Sequence, residues 1–162
     1  MKYRHLGNSG LEVGIIGLGT SNFGRSMDFE AAREVIFTAL DQGMNLFDTA
    51  NFYSHGISEE YIGKALIDRR EEAVIATKFG LPMEDGPNEK GGSRKHIFTA
   101  VEGSLRRLRT DDIDLYQIHT SRQSPLHRPV ELRSMANLRC HVDLSAKRLR
   151  VVHLVTARVL DA

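Results

Sequence analysis

The sequence has 162 residues, of which 41% are hydrophobic and 27% are charged, and its formal net charge is +1. This composition is typical of one globular domain and excludes a disordered chain. No apolar run reaches the length of a transmembrane helix and the first residues contain no apolar signal core, so we expect a cytoplasmic protein without a membrane partner. The single cysteine, Cys140, excludes an internal disulfide and a multi-cysteine metal site, and we expect no metal. The near-neutral charge gives no argument for nucleic-acid binding.

The charge is unevenly distributed along the chain. Residues 1–120 hold 14 basic and 18 acidic residues, whereas residues 121–162 hold 8 basic residues, seven of them arginine, and 3 acidic ones. A shift of this size within one small protein is unusual. We therefore divide the chain at residue 120 and interpret the two parts separately.

The first predicted elements are a β-hairpin, a strand and a helix. Residues 2–6 and 11–14 flank a Gly-Asn-Ser-Gly turn, which predicts the hairpin. An apolar run at 15–18 predicts the first strand. Asp28 has the side chain of a helix N-cap, apolar residues recur at helical spacing up to position 40, and Gly43 stops the helix.

The later elements repeat this order of strand and helix. Strands are predicted at 44–47, 74–77 and 113–118, and helices at 58–69 and 93–109, the former with Ser58 as its N-cap. Alternating strands and helices require a parallel sheet with right-handed crossovers. In such folds the functional site is built at the carboxyl ends of the strands.

Four ionisable side chains follow the predicted strands: Asp48, Tyr53, Lys78 and His119. Each residue alone is most often an ordinary packing or surface residue. Together they would meet on one edge of the sheet, which indicates a site. An ammonium beside a phenol favours the phenolate, a carboxylate holds the ammonium, and an imidazole can orient a carbonyl oxygen. Such a set could protonate a carbonyl while a nicotinamide supplies hydride.

Over residues 1–120 the sequence resembles the aldo-keto reductases. The resemblance is carried, in order, by GLGTSNFG at 17–24, FDTANFYS at 47–54, SEEYIGKAL at 58–66, ATKFG at 76–80, SLRRL at 104–108 and DLYQIH at 114–119. It implies an α/β fold that is the N-terminal half of a (β/α)₈ barrel, with a hairpin and about four βα units. It also implies NADPH-dependent reduction of an aldehyde or ketone, without a Rossmann fold. Asn22 stands where a G-x-G-x-x-G fingerprint would need glycine.

The resemblance assigns a role to each candidate residue. It implies that Tyr53 is the general acid, that Lys78 and Asp48 tune this tyrosine, and that His119 positions the carbonyl. Gly19, Thr20 and Asp48 would lie beside the nicotinamide half of the cofactor. The later strands of such a barrel, which would hold the nicotinamide amide and the 2′-phosphate, do not follow in this sequence.

Residues 121–162 match none of these motifs and have three interpretations. We favour a frameshift or comparable truncation near residue 120; the alternatives are a diverged helical cap with a short helix over 132–139, and a basic arm. A half barrel leaves its first and fourth strands as open edges, so the chain could self-associate, or the tail could cover an edge.

Two other functions stay open at this point. One is a truncated, catalytically inactive member of the family that acts only by binding or self-association. The other is a flavodoxin-like phosphate binder, although residues 19–24 contain no lysine or arginine.

Overall fold

The computed structural model describes residues 1–119, together with the backbone of four two-residue strands in the tail. The chain opens with a hairpin, β1 (Tyr3–His5) and β2 (Glu12–Gly14), which pair antiparallel. This confirms the predicted hairpin. The side chain of Asn45 holds it against the start of the next unit, accepting from the Gly14 N–H (2.9 Å) and donating to the Glu12 carbonyl (3.0 Å).

Residues 1–119 contribute four parallel strands to the main five-stranded sheet, and these four lie side by side in chain order. They are β3 (Leu18–Gly19), β4 (Leu46–Asp48), β5 (Val74–Phe79) and, after the short β6 (Asp112–Ile113), β7 (Leu115–Ile118). A doubly wound fold reverses its strand order at a switch point, whereas a (β/α)₈ barrel adds each strand beside the last. The flavodoxin-like alternative is therefore wrong, and the predicted half barrel is confirmed.

Three helices make the crossovers: α1 (Phe29–Asp41), α2 (Ile57–Ala65) and α3 (Arg94–Leu108). The Asp28 carboxylate caps α1 by accepting from the Ala31 N–H (3.0 Å), as predicted. The Ser93 hydroxyl caps α3 by accepting from the His96 N–H (3.2 Å). Gly43 follows α1 with a φ of 81°, which only glycine adopts at little cost.

The core lies between the sheet and the helices. It is built from apolar side chains on one face of each helix and from the strand residues that point toward them. Its fully buried members include Ile36, Phe47, Ile62, Ile75 and Phe79. The other face of the strands leads toward the barrel interior.

The predicted strand at 15–18 is shorter in the structure, because only Leu18 and Gly19 pair with β4. Ile15 and Ile16 lie before the ladder and are 53% and 56% exposed. The partner strand sets this limit, since β4 begins only at Leu46.

The predicted strand at 113–118 is interrupted at Asp114. The carboxylate of Asp114 accepts from the Ile75 N–H (2.8 Å) and from Arg70 Nη2 (2.8 Å). The Asp114 side chain thus accepts a hydrogen bond from the backbone of β5, where a regular strand pair would have a backbone-to-backbone bond. The segment is therefore divided into β6 and β7.

The predicted helix cap at Ser58 is wrong. Helix α2 begins one residue earlier, after Gly56, and ends at Ala65 rather than 69. The Ser58 hydroxyl is fully buried and contacts threonines of two strand ends instead of the helix backbone.

The tail contributes short backbone pairings in the structure. Its strands are β8 (Asp143–Leu144), β9 (Lys147–Arg148), β10 (Arg150–Val151) and β11 (Leu154–Val155). β11 lies parallel to β7 at Tyr116 and Gln117, so the edge of the fourth strand is paired there. The predicted helix over 132–139 lies outside the described residues, and the domain boundary at residue 120 stays a prediction.

Candidate active site

The carboxyl ends of the parallel strands lie next to one another and present polar groups on one edge. Gly19 of β3 is opposite Asp48 of β4, and Lys78 of β5 is opposite Gln117 of β7. Lys78 is the fifth residue of β5 rather than the residue after it, because the strand continues to Phe79. His119 directly follows β7.

Lys78 and Asp48 form an ion pair across this edge. Lys78 Nζ lies 2.6 Å from Asp48 Oδ1 and also donates to the Thr49 carbonyl (3.0 Å). The lysine side chain is 15% exposed and the aspartate is 43% exposed. The ammonium is thus held between two acceptors, with the carboxylate on its solvent side.

Tyr53 lies beside this pair, in a tight 3₁₀ turn (Tyr53–Gly56) that follows β4. Its ring centroid is 5.4 Å from Lys78 Nζ. Ser54 and His55 both have left-handed backbone conformations, and the Ser54 hydroxyl donates to the Phe23 carbonyl (2.8 Å). Because such conformations are costly for non-glycine residues, the surrounding contacts must hold this turn in place.

His119 completes the group. Its ring is edge-on to the Tyr53 ring, with centroids 5.7 Å apart and an interplanar angle of 89°. Its backbone N–H donates to the Phe79 carbonyl (2.6 Å), which ties the histidine to the end of β5. The structure therefore brings all four predicted residues, Asp48, Tyr53, Lys78 and His119, into one cluster.

The surroundings of His119 favour its neutral form. Burial lowers the pKa of the imidazole, and the Lys78 ammonium lowers it further, while the Asp48 carboxylate partly opposes both effects. A neutral imidazole at pH 7 can donate a hydrogen bond from one nitrogen to a ligand's carbonyl oxygen.

The predicted cofactor residues differ in how much free space surrounds them. A side chain built on Gly19 would meet no atom within 4 Å, so the space over this glycine, beside Asp48, is open. This opening fits the approach of a flat ring such as a nicotinamide. Thr20 is fully buried, and its hydroxyl donates to the Asp48 carbonyl (3.1 Å) and contacts Ser58. A direct contact between Thr20 and a cofactor stays a prediction.

Two residues beneath this edge were not among the predicted site residues. Ser58 and Glu59, both in the first turn of α2, are fully buried below the strand ends. They occupy the same helix face as Ile62, at the spacings of three and four residues that place side chains together. This spacing is the signal that the sequence offers for the pair, but it does not by itself assign their burial.

Across residues 1–119, no group of three or more His, Cys, Asp or Glu side chains is arranged to hold a metal ion. In the same range, no helix is long and apolar enough to cross a membrane.

A scan against protein families matches residues 15–125 to the aldo/keto reductase family. Two Bacillus subtilis proteins are similar over 74% of this chain: the uncharacterized oxidoreductase YrpG, at 45% identity, and the aldo-keto reductase YhdN, at 42% identity. The match covers 40% and 38% of their lengths, so this chain spans well under half of these relatives.

A solved structure is also similar to nearly the whole chain. It is the holo form of an aldo-keto reductase from Bacillus halodurans, with 34% identity and a TM-score of 0.71. The superposition covers 98% of this chain and 51% of the other. The half-barrel architecture and the family match therefore agree.

Proposed function

Because the chain belongs to the aldo-keto reductase family, we propose that it carries a carbonyl-reducing site that uses NADPH and an aldehyde or ketone. The observation that carries the proposal is the 2.6 Å ion pair between Lys78 and Asp48, with the Tyr53 ring 5.4 Å from the ammonium. This arrangement suits a phenol that must lose a proton during a reaction. NADPH, when bound, would supply the hydride.

Tyr53 is the general acid in this proposal. As hydride reaches the carbonyl carbon, the developing alkoxide takes the phenol proton, and the Lys78 ammonium stabilises the phenolate that remains. The Asp48 carboxylate keeps the ammonium in position. His119, neutral because of its lowered pKa, donates a hydrogen bond to the carbonyl oxygen and orients it.

Gly19 and Asp48 would contact the nicotinamide end of the cofactor. The open space over Gly19 supports this assignment. The phosphate-binding part that the family resemblance assigns to later strands has no counterpart among the described residues.

A second candidate function is non-enzymatic. In it the chain does not turn over and acts by binding or self-association. The support is the outer edge of β3, which pairs with no strand in the part of the chain that the structure describes.

We also propose a cytoplasmic location. The support is the content of one cysteine in 162 residues, which requires no oxidising compartment for folding.

The test is NADPH titration by fluorescence, followed by turnover with a panel of aldehydes and ketones. Tyr53→Phe removes the acidic proton but keeps the ring, so we expect NADPH binding to persist and turnover to fall by at least about 100-fold. Tyr3→Phe is the matched control, because Tyr3 is an exposed hairpin residue distant in sequence from the site.

Retained turnover in Tyr53→Phe would contradict the role of Tyr53. Absence of NADPH binding in the unmodified chain would contradict the reductase proposal and favour the second candidate.

A further inference from the structure

The first turn of α2 places two polar side chains beneath the candidate active site. Ser58 and Glu59 are both fully buried, and neither contacts the open face of the site in the described structure. Burying a hydroxyl and a carboxylate is unfavourable unless their hydrogen bonds are made. The hydrogen-bond partners of Ser58 and Glu59 therefore indicate the role of these two residues.

Ser58 joins two strand ends. Its oxygen lies 2.9 Å from Thr20 Oγ1 and 3.0 Å from Thr49 Oγ1, and it donates to the Thr20 carbonyl (3.0 Å). Thr20 follows the last residue of β3, and Thr49 follows Asp48. One hydroxyl thus holds the end of β3 against the end of β4, directly beside Asp48.

Glu59 holds the third strand. Thr77 Oγ1 donates to Glu59 Oε1 (2.5 Å), and Thr77 immediately precedes Lys78 in β5. Arg107 of α3 donates from Nε to Glu59 Oε2 (2.7 Å) and neutralises the buried carboxylate. An added side chain at Gly56 would come within 2.5 Å of the Arg107 side chain, so glycine there makes room for the arginine.

A buried ion pair contributes little net stability over an apolar pair of the same shape. We therefore infer that this ion pair serves to position the strand rather than to stabilise the fold. Because successive strand residues point to opposite faces, fixing Thr77 on the helix side also fixes where Lys78 leaves the strand on the other side.

We propose that Ser58 and Glu59 are positioning residues, which hold Asp48 and Lys78 in register through Thr49 and Thr77. The effect on catalysis rests on the proposed function. The effect on the position of Lys78 does not, so the two can be tested separately.

The pKa of His119 measures the position of Lys78, because the ammonium is one of the two causes that lower it. We would titrate the folded full-length chain by NMR and follow the histidine ring protons, assigning His119 by its absence in His119→Gln. Lys78→Met removes the ammonium and so gives the reference for its complete loss, and we expect it to raise the pKa of His119 toward the ordinary value.

Thr77→Val removes the hydroxyl without changing size or charge. We expect the pKa of His119 to rise toward the value in Lys78→Met, and we expect Thr77→Ser to restore the wild-type value. Glu59→Gln should also raise the pKa of His119, whereas the loss of a nearby negative charge would by itself lower that pKa. Glu60→Gln is the matched control, since Glu60 is the exposed neighbour on the same helix and makes no ion pair in the described range.

If the unmodified chain reduces carbonyls, Thr77→Val should lower kcat by roughly 10- to 100-fold with a smaller change in the KM of the carbonyl substrate. An unchanged pKa of His119 in folded Thr77→Val, or a lowered one in Glu59→Gln, would overturn the proposal. Absence of turnover in the unmodified chain would contradict the proposed function and leave the titration as the deciding result.

Discussion

One buried histidine, His96, and one half-buried histidine, His119, link single residues to the pH dependence of the stability of the whole protein. Burial lowers the pKa of both His96 and His119. His96 is 3% exposed, its ring lies tilted beside that of Phe79 with centroids 6.4 Å apart, and Glu89 and the Asn88 backbone only partly oppose the effect of burial on its pKa. Because a lowered pKa means that the unfolded chain binds the proton more tightly, these histidines stabilise the fold above the ordinary histidine pKa of about 6.5.

We therefore predict that the free energy of unfolding decreases as the pH falls below about 6.5 and continues to decrease through the lowered pKa values. His96→Leu removes one of these titrating groups, so it should stabilise the protein more at pH 5.5 than at pH 8. Urea unfolding at both pH values measures this, with His5→Leu on the exposed hairpin as the control. An equal effect at the two pH values would contradict it.

At the residue scale, the sequence predicted the four residues of the candidate site but not the buried residues beneath them. Asp48, Tyr53, Lys78 and His119 could be predicted because each follows or ends a strand whose apolar pattern is local. The buried position of Glu59 could not be assigned, because its partner Arg107 lies 48 residues away and on another helix. An acidic residue in the first turn of a helix is usually exposed, where it interacts favourably with the helix dipole. Only the ion pair with Arg107 of the neighbouring helix explains why Glu59 is buried instead.

At the element scale, the packing of α2 on α3 depends on a close backbone approach. A side chain built on Gly63 would come within 2.4 Å of the Leu108 backbone. No rotamer change can relieve contact with backbone atoms, so the helices would have to move apart.

We predict that Gly63→Ala destabilises the protein by about 1–3 kcal/mol, the usual cost of overpacking, despite the better helix propensity of alanine. Urea unfolding measures the change. Gly10→Ala is the matched control, because a side chain at Gly10 meets no atom within 4 Å and the glycine has an ordinary φ. Equal stability of the two variants would contradict the role of this contact.

The helices were predicted more accurately than the strands. The cap at Asp28 depends on a local hydrogen bond, so the sequence indicates it directly, whereas the cap at Ser93 was not predicted and the predicted cap at Ser58 is wrong. Strand limits depend on the partner strand, and β3 shows this, since Ile15 and Ile16 continue the apolar run but have no ladder partner. Asp114 ends β6 for a similar reason, because its carboxylate contacts residues of earlier elements.

At the scale of the whole molecule, the sheet has an unpaired edge at β3 within the described residues, and exposed apolar side chains precede it. Unpaired strand groups next to apolar surface favour association with another chain. β7 differs, because β11 pairs with part of it.

We predict that the chain self-associates with increasing concentration, and that Ile15→Lys combined with Ile16→Lys shifts it toward monomer while keeping its circular dichroism spectrum. Sedimentation velocity measures the distribution. Ile67→Lys is the control, since Ile67 is 62% exposed and follows α2 rather than leading into β3. A monomer at every concentration, or an equal effect of Ile67→Lys, would contradict this prediction.

The alternation of strands and helices, the helix cap at Asp28 and the four ionisable residues near strand ends could be predicted from the sequence, because each depends on residues close together along the chain. The register of the strands, the burial of Ser58 and Glu59 and the contact of Tyr53 with Lys78 and His119 arose only in the folded molecule. These features join residues from different βα units, and the free energy of a buried hydrogen bond or ion pair depends on partners that local patterns do not specify.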